Sequence, residues 1–250
     1  MRNLTRYILF VLITLWPAVI HAQDNSKVQS LLAEADACIS RNELTEALGK
    51  TREALQMSPE SIPVLQKQIS ILFLMKDDKE AMKETEDAIS KYPEEPDFYY
   101  LRGVIYNSRE KYERALDNFD QAILLKSSPN LYKFYLGRGV SHLNMMEYEL
   151  AMSDFNSTIE MNDTVAGAYH GRAMVNYELH DYTSAVSDFL KTLDYSKGNS
   201  ALYFNLGMSY YRLDEKSNAC PYFHKACTLG NTNACRMALM ECAKAIPTLP

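Results

Sequence analysis

The chain has little of what enzymes are usually built from. Its nine glycines are scattered, and no phosphate loop, glycine-rich cofactor turn, nucleophile elbow or metal-ligating helix motif occurs. These gaps argue against catalysis and against a bound cofactor or metal. Positive charge is also short. The 26 lysines and arginines face 32 acids, a net charge of −6, with no basic stripe to follow a phosphate backbone. Nucleic acid is therefore not the expected partner. The single tryptophan, Trp16, sits in the N-terminal stretch, and beyond that stretch no membrane segment is visible.

The N-terminal stretch, "MRNLTRYILFVLITLWPAVIHAQDNS", has Arg2 and Arg6 ahead of an apolar segment from Tyr7 to Ile20, then Ala22. That layout predicts a secretory signal peptide over 1–22, cut between Ala22 and Gln23, with 23–27 as a short linker. The apolar segment has 14 residues and contains Pro17, short of the ~20 residues that a spanning helix needs. An uncleaved anchor stays open; otherwise membrane association would come only through partners. No cysteine lies near the junction, which argues against a lipoprotein anchor. Losing two arginines and no acids takes the charge from −6 to −8. The expected location is exported: periplasmic, cell-envelope or extracellular, with the glutamine after the cut pointing to a bacterial envelope.

What the remaining residues do have is a period. Ala47, Ala81 and Ala115 stand 34 residues apart, and after one 36-residue step Ala151, Ala185 and Ala219 resume the interval. Four residues later come Phe119, Phe155, Phe189 and Phe223, with Thr51 and Thr85 in the first two units. Seven residues after the alanine come Ala54, Ala88, Ala122, Thr158, Thr192 and Ala226. Offsets of 0, 4 and 7 share one helical face. Twelve residues before the alanine stand Ala35, Gly103, Gly139, Ala173 and Gly207, with Ile69 as the exception. Small residues at this period are what stacked helix–turn–helix units need where two helices cross closely. The longer step fits a two-residue insertion at "SSPN", with Pro129 in the inter-unit turn.

This pattern resembles the tetratricopeptide repeat, and "YYLRGVIYNSREKYERALDNFDQAI" lies close to that family's pattern. The resemblance implies an all-α fold: a right-handed α-solenoid of six repeats at 28–61, 62–95, 96–129, 132–165, 166–199 and 200–233. A capping helix and tail would occupy 234–250. Pro59 and Pro93 fall at the family's position 32 of the first two repeats. The stretch "ACPYFHKACTLGNTNAC" is also similar to the related Sel1-like repeats.

In the resembled family the first helices line a concave groove, with positions 2, 5, 9 and 12 facing inward. Carried onto this chain, position 5 gives Tyr100, Leu136, His170 and Phe204, and position 9 gives Val104, Val140, Met174 and Met208. Position 12 gives Asn107, Leu143, Tyr177 and Tyr211, and position 2 gives Lys133. Such an apolar, aromatic and methionine-rich strip suits an amphipathic helix or extended peptide. The implied function is a non-catalytic protein–protein interaction scaffold. A glycan or small-ligand module and a self-associating spacer stay open, and so does the oligomeric state. Lys133, Asn107 and Arg212 do not make up the family's carboxylate clamp. Arg102, Arg138 and Arg172 at position 7, with Asp154 and Asp188 at position 23, read as ion pairs between helices.

Four of the five cysteines crowd the C-terminus. Cys220 and Cys227 are seven apart on one helix face, and Cys235 and Cys242 are seven apart on the helix expected next. Both Cys227 with Cys235 and Cys220 with Cys242 centre on residue 231. A helical hairpin turning there predicts two nested disulfides, with Gly230 ending one helix and Asn233 as a possible N-cap of the next. One zinc site is disfavoured, because seven helical residues separate each pair by about 10.5 Å. Buried free thiols are the alternative in a reducing compartment. Cys38 is left over, at a core-like position.

Overall fold

The computed structural model describes residues 25–125 and 128–242. The expected signal peptide and residues 243–250 of the expected tail lie outside them, as do Lys126 and Ser127 beside the expected insertion. Every described element is helical, and the chain divides into two compact bodies between Ile105 and Tyr106. The first body holds α1 (25–40), α2 (Leu44–Met57), α3 (Ile62–Leu74), α4 (Asp78–Lys91) and most of α5 (Pro96–Ser108). The second holds α6 (Tyr112–Leu125), α7 (Leu131–Asn144), α8 (Tyr148–Met161), α9 (Ala166–Glu178), α10 (Tyr182–Tyr195), α11 (Ser200–Arg212) and α12 (Lys216–Thr228). It closes with α13 (Thr232–Met237) and one π turn, Ala238–Cys242. Consecutive helices therefore pair as helix–turn–helix repeats, the architecture of an α-solenoid. Among the described residues no helix is long and apolar enough to cross a membrane.

The turns repeat as faithfully as the helices. Asn42, Lys76, Glu110, Met146, His180 and Asp214, one per repeat, all adopt φ between 58° and 65°. Around each, the helix end is closed by a Schellman pair of hydrogen bonds, such as Lys111 N to Tyr106 O (3.0 Å) and Glu110 N to Asn107 O (3.0 Å). The α12–α13 link uses the same device with Gly230 at φ 90°, through Asn231 N to Ala226 O (3.0 Å). Asp77, Asp181 and Asn199 cap α4, α10 and α11 through their side chains. Asn231, not Asn233, caps α13, accepting from Ala234 N at 2.9 Å. The helix consequently starts at Thr232 and turns into the wider π turn, which ends at Cys242.

The core is the small–large alternation of the sequence made physical. All six period alanines, from Ala47 to Ala219, have no exposed surface. Phe119, Phe155, Phe189 and Phe223 are equally sealed. In the second body, a Cβ on Gly207 would come within 2.8 Å of the Phe223 ring, and one on Gly139 within 3.0 Å of Phe155. The first two repeats solve the same problem with other volumes. Thr51 and Thr85 replace the phenylalanine and are fully buried, their hydroxyls donating to Leu48 O (3.0 Å) and Ala81 O (2.6 Å). Ile69, bulky where other repeats have a small residue, is also fully buried and shares the second repeat with Thr85. Cys38 is buried beside Ala35, Ala47, Leu48 and Ile71.

Candidate functional site

The residues expected along the first helices lie, in the second body, mainly on α7, α9 and α11. Leu136 packs against the cluster of Ala151, Phe155 and Val175, while Val140 is exposed. On α9, His170 is half-buried with its ring 5.7 Å from Phe189, and that burial pushes its imidazole below the usual histidine range. Met174 and Tyr177 pack on the cluster around Ala185 and Phe189. Asn205 Nδ2 reaches the Met174 sulfur at 3.3 Å. On α11, Phe204, Met208 and Tyr211 lie against the terminal cluster of Ala219, Phe223, Ala238 and Cys242. Each of these six side chains from His170 to Tyr211 is half-buried, so one side anchors the core and the other meets solvent. Tyr100 and Val104, half-buried as well, belong to the first body.

Two polar residues of the expected strip are differently engaged. Asn107 spends its amide on α7, donating to Gly137 O (3.2 Å) and accepting from Ser141 Oγ (2.8 Å). It joins helices instead of facing a ligand. Lys133 sets its ammonium 5.8 Å from the Tyr132 ring centre.

The strip ends at the C-terminal cap. Cys220 is bonded to Cys242 and Cys227 to Cys235, with Cα atoms 5.6 and 4.7 Å apart. Cys38 is a free thiol. It forms with Glu43 and Glu46 a group whose ligand atoms lie within 4.8 Å of one another. Arg41 occupies this group, 3.5 Å from the Cys38 sulfur and 2.6 Å from Glu43, so a cation's place is already filled by a guanidinium.

Interhelical pairs recur sixteen residues apart, at positions 7 and 23 of the repeat. Arg138 makes a two-pronged contact with Asp154 (2.9 and 2.6 Å), and Arg172 does the same with Asp188 (2.9 and 2.7 Å). Asp154, with a second contribution from Asp120, holds the Arg138 guanidinium above the ordinary arginine value. The sequence reading overlooked the first two rungs. In the first repeat the signs reverse, Lys50 meeting Glu34 at 2.7 Å. In the second, Gln68 donates to both oxygens of Glu84 (2.9 and 3.0 Å). The signal was the spacing, which survives the change of residue types. Clefts of about 310 Å³ and 280 Å³ open over the Arg172–Asp188 and Gln68–Glu84 pairs respectively.

With this geometry in view, two stretches, residues 80–132 and 200–229, match models of the tetratricopeptide repeat. Tetratricopeptide repeats are present in both. The Sel1-like resemblance of the C-terminal stretch is not among these matches. No curated protein matches the sequence. Among solved structures, pilF of Pseudomonas aeruginosa aligns with a TM-score of 0.74 at 14% identity, over 88% of this chain and 99% of that one. A tetratricopeptide repeat protein from Parabacteroides merdae aligns with a TM-score of 0.60 at 22% identity, over 85% and 82%. YrrB, described as a tetratricopeptide repeat protein with an unusual peptide-binding site, aligns with a TM-score of 0.56 at 18% identity, over 78% and 98%. At such identities the likeness is one of fold. Tetratricopeptide repeat proteins are in general non-catalytic scaffolds that bind proteins or peptides.

Proposed function

We propose that the protein is an exported, non-catalytic scaffold that holds a peptide or helical segment of a partner protein along the first-helix face of its second body, the concave groove of this repeat family. The observation that carries this reading is the row His170, Met174, Tyr177, Phe204, Met208 and Tyr211, each partly buried with some surface left open, on successive first helices. A plain spacer would gain by sealing or replacing such side chains, whereas aromatic and methionine residues with one face anchored and one face open are what peptide-binding surfaces use. YrrB is a fold relative described with a peptide-binding site, which supports the class of ligand. Export is supported by the N-terminal layout and by four cysteines in two bonds, since disulfides persist in oxidising compartments.

The test is cross-linking with mass spectrometry in the cells that make the protein. Cross-links from a partner should concentrate on α9 and α11 and fall away in Phe204→Ala and Tyr211→Ala variants that melt like the parent. Cross-links confined to second helices, or unchanged in both variants, would overturn the assignment.

A further inference from the structure

Arg138 and Arg172 occupy the same place in successive repeats, yet they are not equally satisfied. Arg138 has two carboxylates: Asp154 takes Nε and Nη2, and Asp120 accepts from Nη1 at 2.6 Å. Arg172 has one. Asp188 takes Nε and Nη2, and Nη1 donates to the neutral amide of Asn156 at 2.8 Å. Asn156 stands where Asp120 stands one repeat earlier. Those three contacts use three of the five guanidinium N–H groups.

The space around Arg172 is also left open. Asn156, Asn176, Ser184, Ser187 and the ion pair line the cleft of about 310 Å³, with Met152 as its one apolar side chain. One repeat earlier, Leu150 stands in the place of Ser184, and His142, bound to Glu147 at 2.6 Å, in that of Asn176. One repeat later the place is apolar. Leu206 and Tyr222 replace Arg172 and Asp188, Leu190 replaces Asn156, and the Tyr222 ring stacks on Tyr210 at 5.6 Å.

We infer that the cleft over Arg172 is a second binding site, one that takes a ligand's carboxylate in the role that Asp120 plays for Arg138. It shares no lining residue with the apolar strip and stands independently of that reading. The chemistry is complementary. The Arg172–Asp188 pair is neutral as a unit, two N–H groups of the guanidinium remain, and Ser184 and Ser187 bring hydroxyl donors. A second carboxylate there produces the charge that the chain already accommodates at Asp120–Arg138–Asp154. The Asp120 side chain is 61% exposed, so an entering carboxylate also sits beside water and a lone one binds weakly. A terminal carboxylate of a peptide and the side chain of an acidic residue present the same group.

Titration of the purified protein, followed by NMR, with N-acetylalanine, the α-amide of N-acetylglutamate and N-acetylalanine amide tests this. The two carboxylates should bind saturably and the neutral amide should not; the tighter of the first two names the source. Asn156→Asp builds the internal carboxylate of the preceding repeat and should weaken binding at least tenfold with no loss of thermal stability. Phe204→Ala should leave it unchanged, which separates this site from the strip. Equal binding of acid and amide, no binding of either acid, or full binding by Asn156→Asp would overturn the inference.

Discussion

The ring of Phe155 lies where a methyl group on Gly171 would have to be. Phe155 is fully buried between Gly139 of its own repeat and Gly171 of the next, so it has nowhere to retreat. Gly171→Ala should therefore destabilise the protein by about 1–2 kcal/mol net, overpacking outweighing the ~1 kcal/mol that alanine gains as a helix former. Gly49 is the control. It lies inside α2 with nothing within 4 Å of its would-be Cβ, and Gly49→Ala should stabilise by roughly 0.5–1 kcal/mol. Urea unfolding monitored by circular dichroism would measure both, and the two changes should have opposite signs.

That pairing also marks where sequence reasoning reached and where it stopped. The alanine position was legible in all six repeats and the phenylalanine position in the last four, because each demands a fixed size at a fixed helical offset. Gly137 and Gly171 were missed, although a Cβ on Gly137 would come within 2.7 Å of Phe119. They face the preceding repeat from position 6, where only these two repeats carry glycine, so the signal is one recurrence and not six. The pairs Glu34–Lys50 and Gln68–Glu84 escaped for another reason: their geometry is kept while their chemistry changes. Cysteine midpoints worked because two helices joined by a tight turn are nearly a mirror about it. The strip residues were chosen by repeat position alone, which could not foresee that Asn107 would be taken up by Ser141.

Glu84 carries a pH signature. Burial pushes its carboxyl above the usual carboxylate range, partly offset by the bonds from Gln68. A carboxyl raised on folding is in its favoured, protonated form at low pH. Its penalty appears as the pH rises past the unfolded value and is complete above the folded one. Glu84→Gln removes that penalty and keeps an acceptor for Gln68. The variant should melt higher than the parent at pH 7, and the gain should shrink as the pH falls below the folded value. A gain that persists or grows under acid would contradict this account.

The two disulfides should act locally. Closing the loop from Cys220 to Cys242, a separation of 22 residues, restrains the unfolded chain more than closing the 8 between Cys227 and Cys235. Each bond typically contributes about 2–4 kcal/mol. The end of a repeat array has a neighbour on one side only. Replacing Cys220 and Cys242 by serine should thus speed amide exchange in α13 and the π turn while α9 and α10 stay protected. The Cys227/Cys235 double variant should show a smaller effect. In the parent, a thiol reagent should find no reactive cysteine in the native protein and one, Cys38, after unfolding without reductant.

The six turns offer the last prediction. Each places a non-glycine residue at φ near 60°, a region that costs an L-residue roughly 1 kcal/mol relative to glycine. The cost is tolerated because the Schellman bonds around it close the first helix and aim the second, and the residue itself is free to vary from asparagine to methionine. Met146 is the clearest case. It has φ 62° and is 73% exposed, so its side chain loses little when removed. Met146→Gly should relieve the backbone and stabilise the second body by about 0.5–1 kcal/mol, after the extra freedom that glycine adds to the unfolded chain. Met146→Val should do the reverse, because a β-branched side chain tolerates this region least. Thermal melting of both variants against the parent decides the matter. Equal melting temperatures would mean that the turn is held by its hydrogen bonds with no conformational cost to recover.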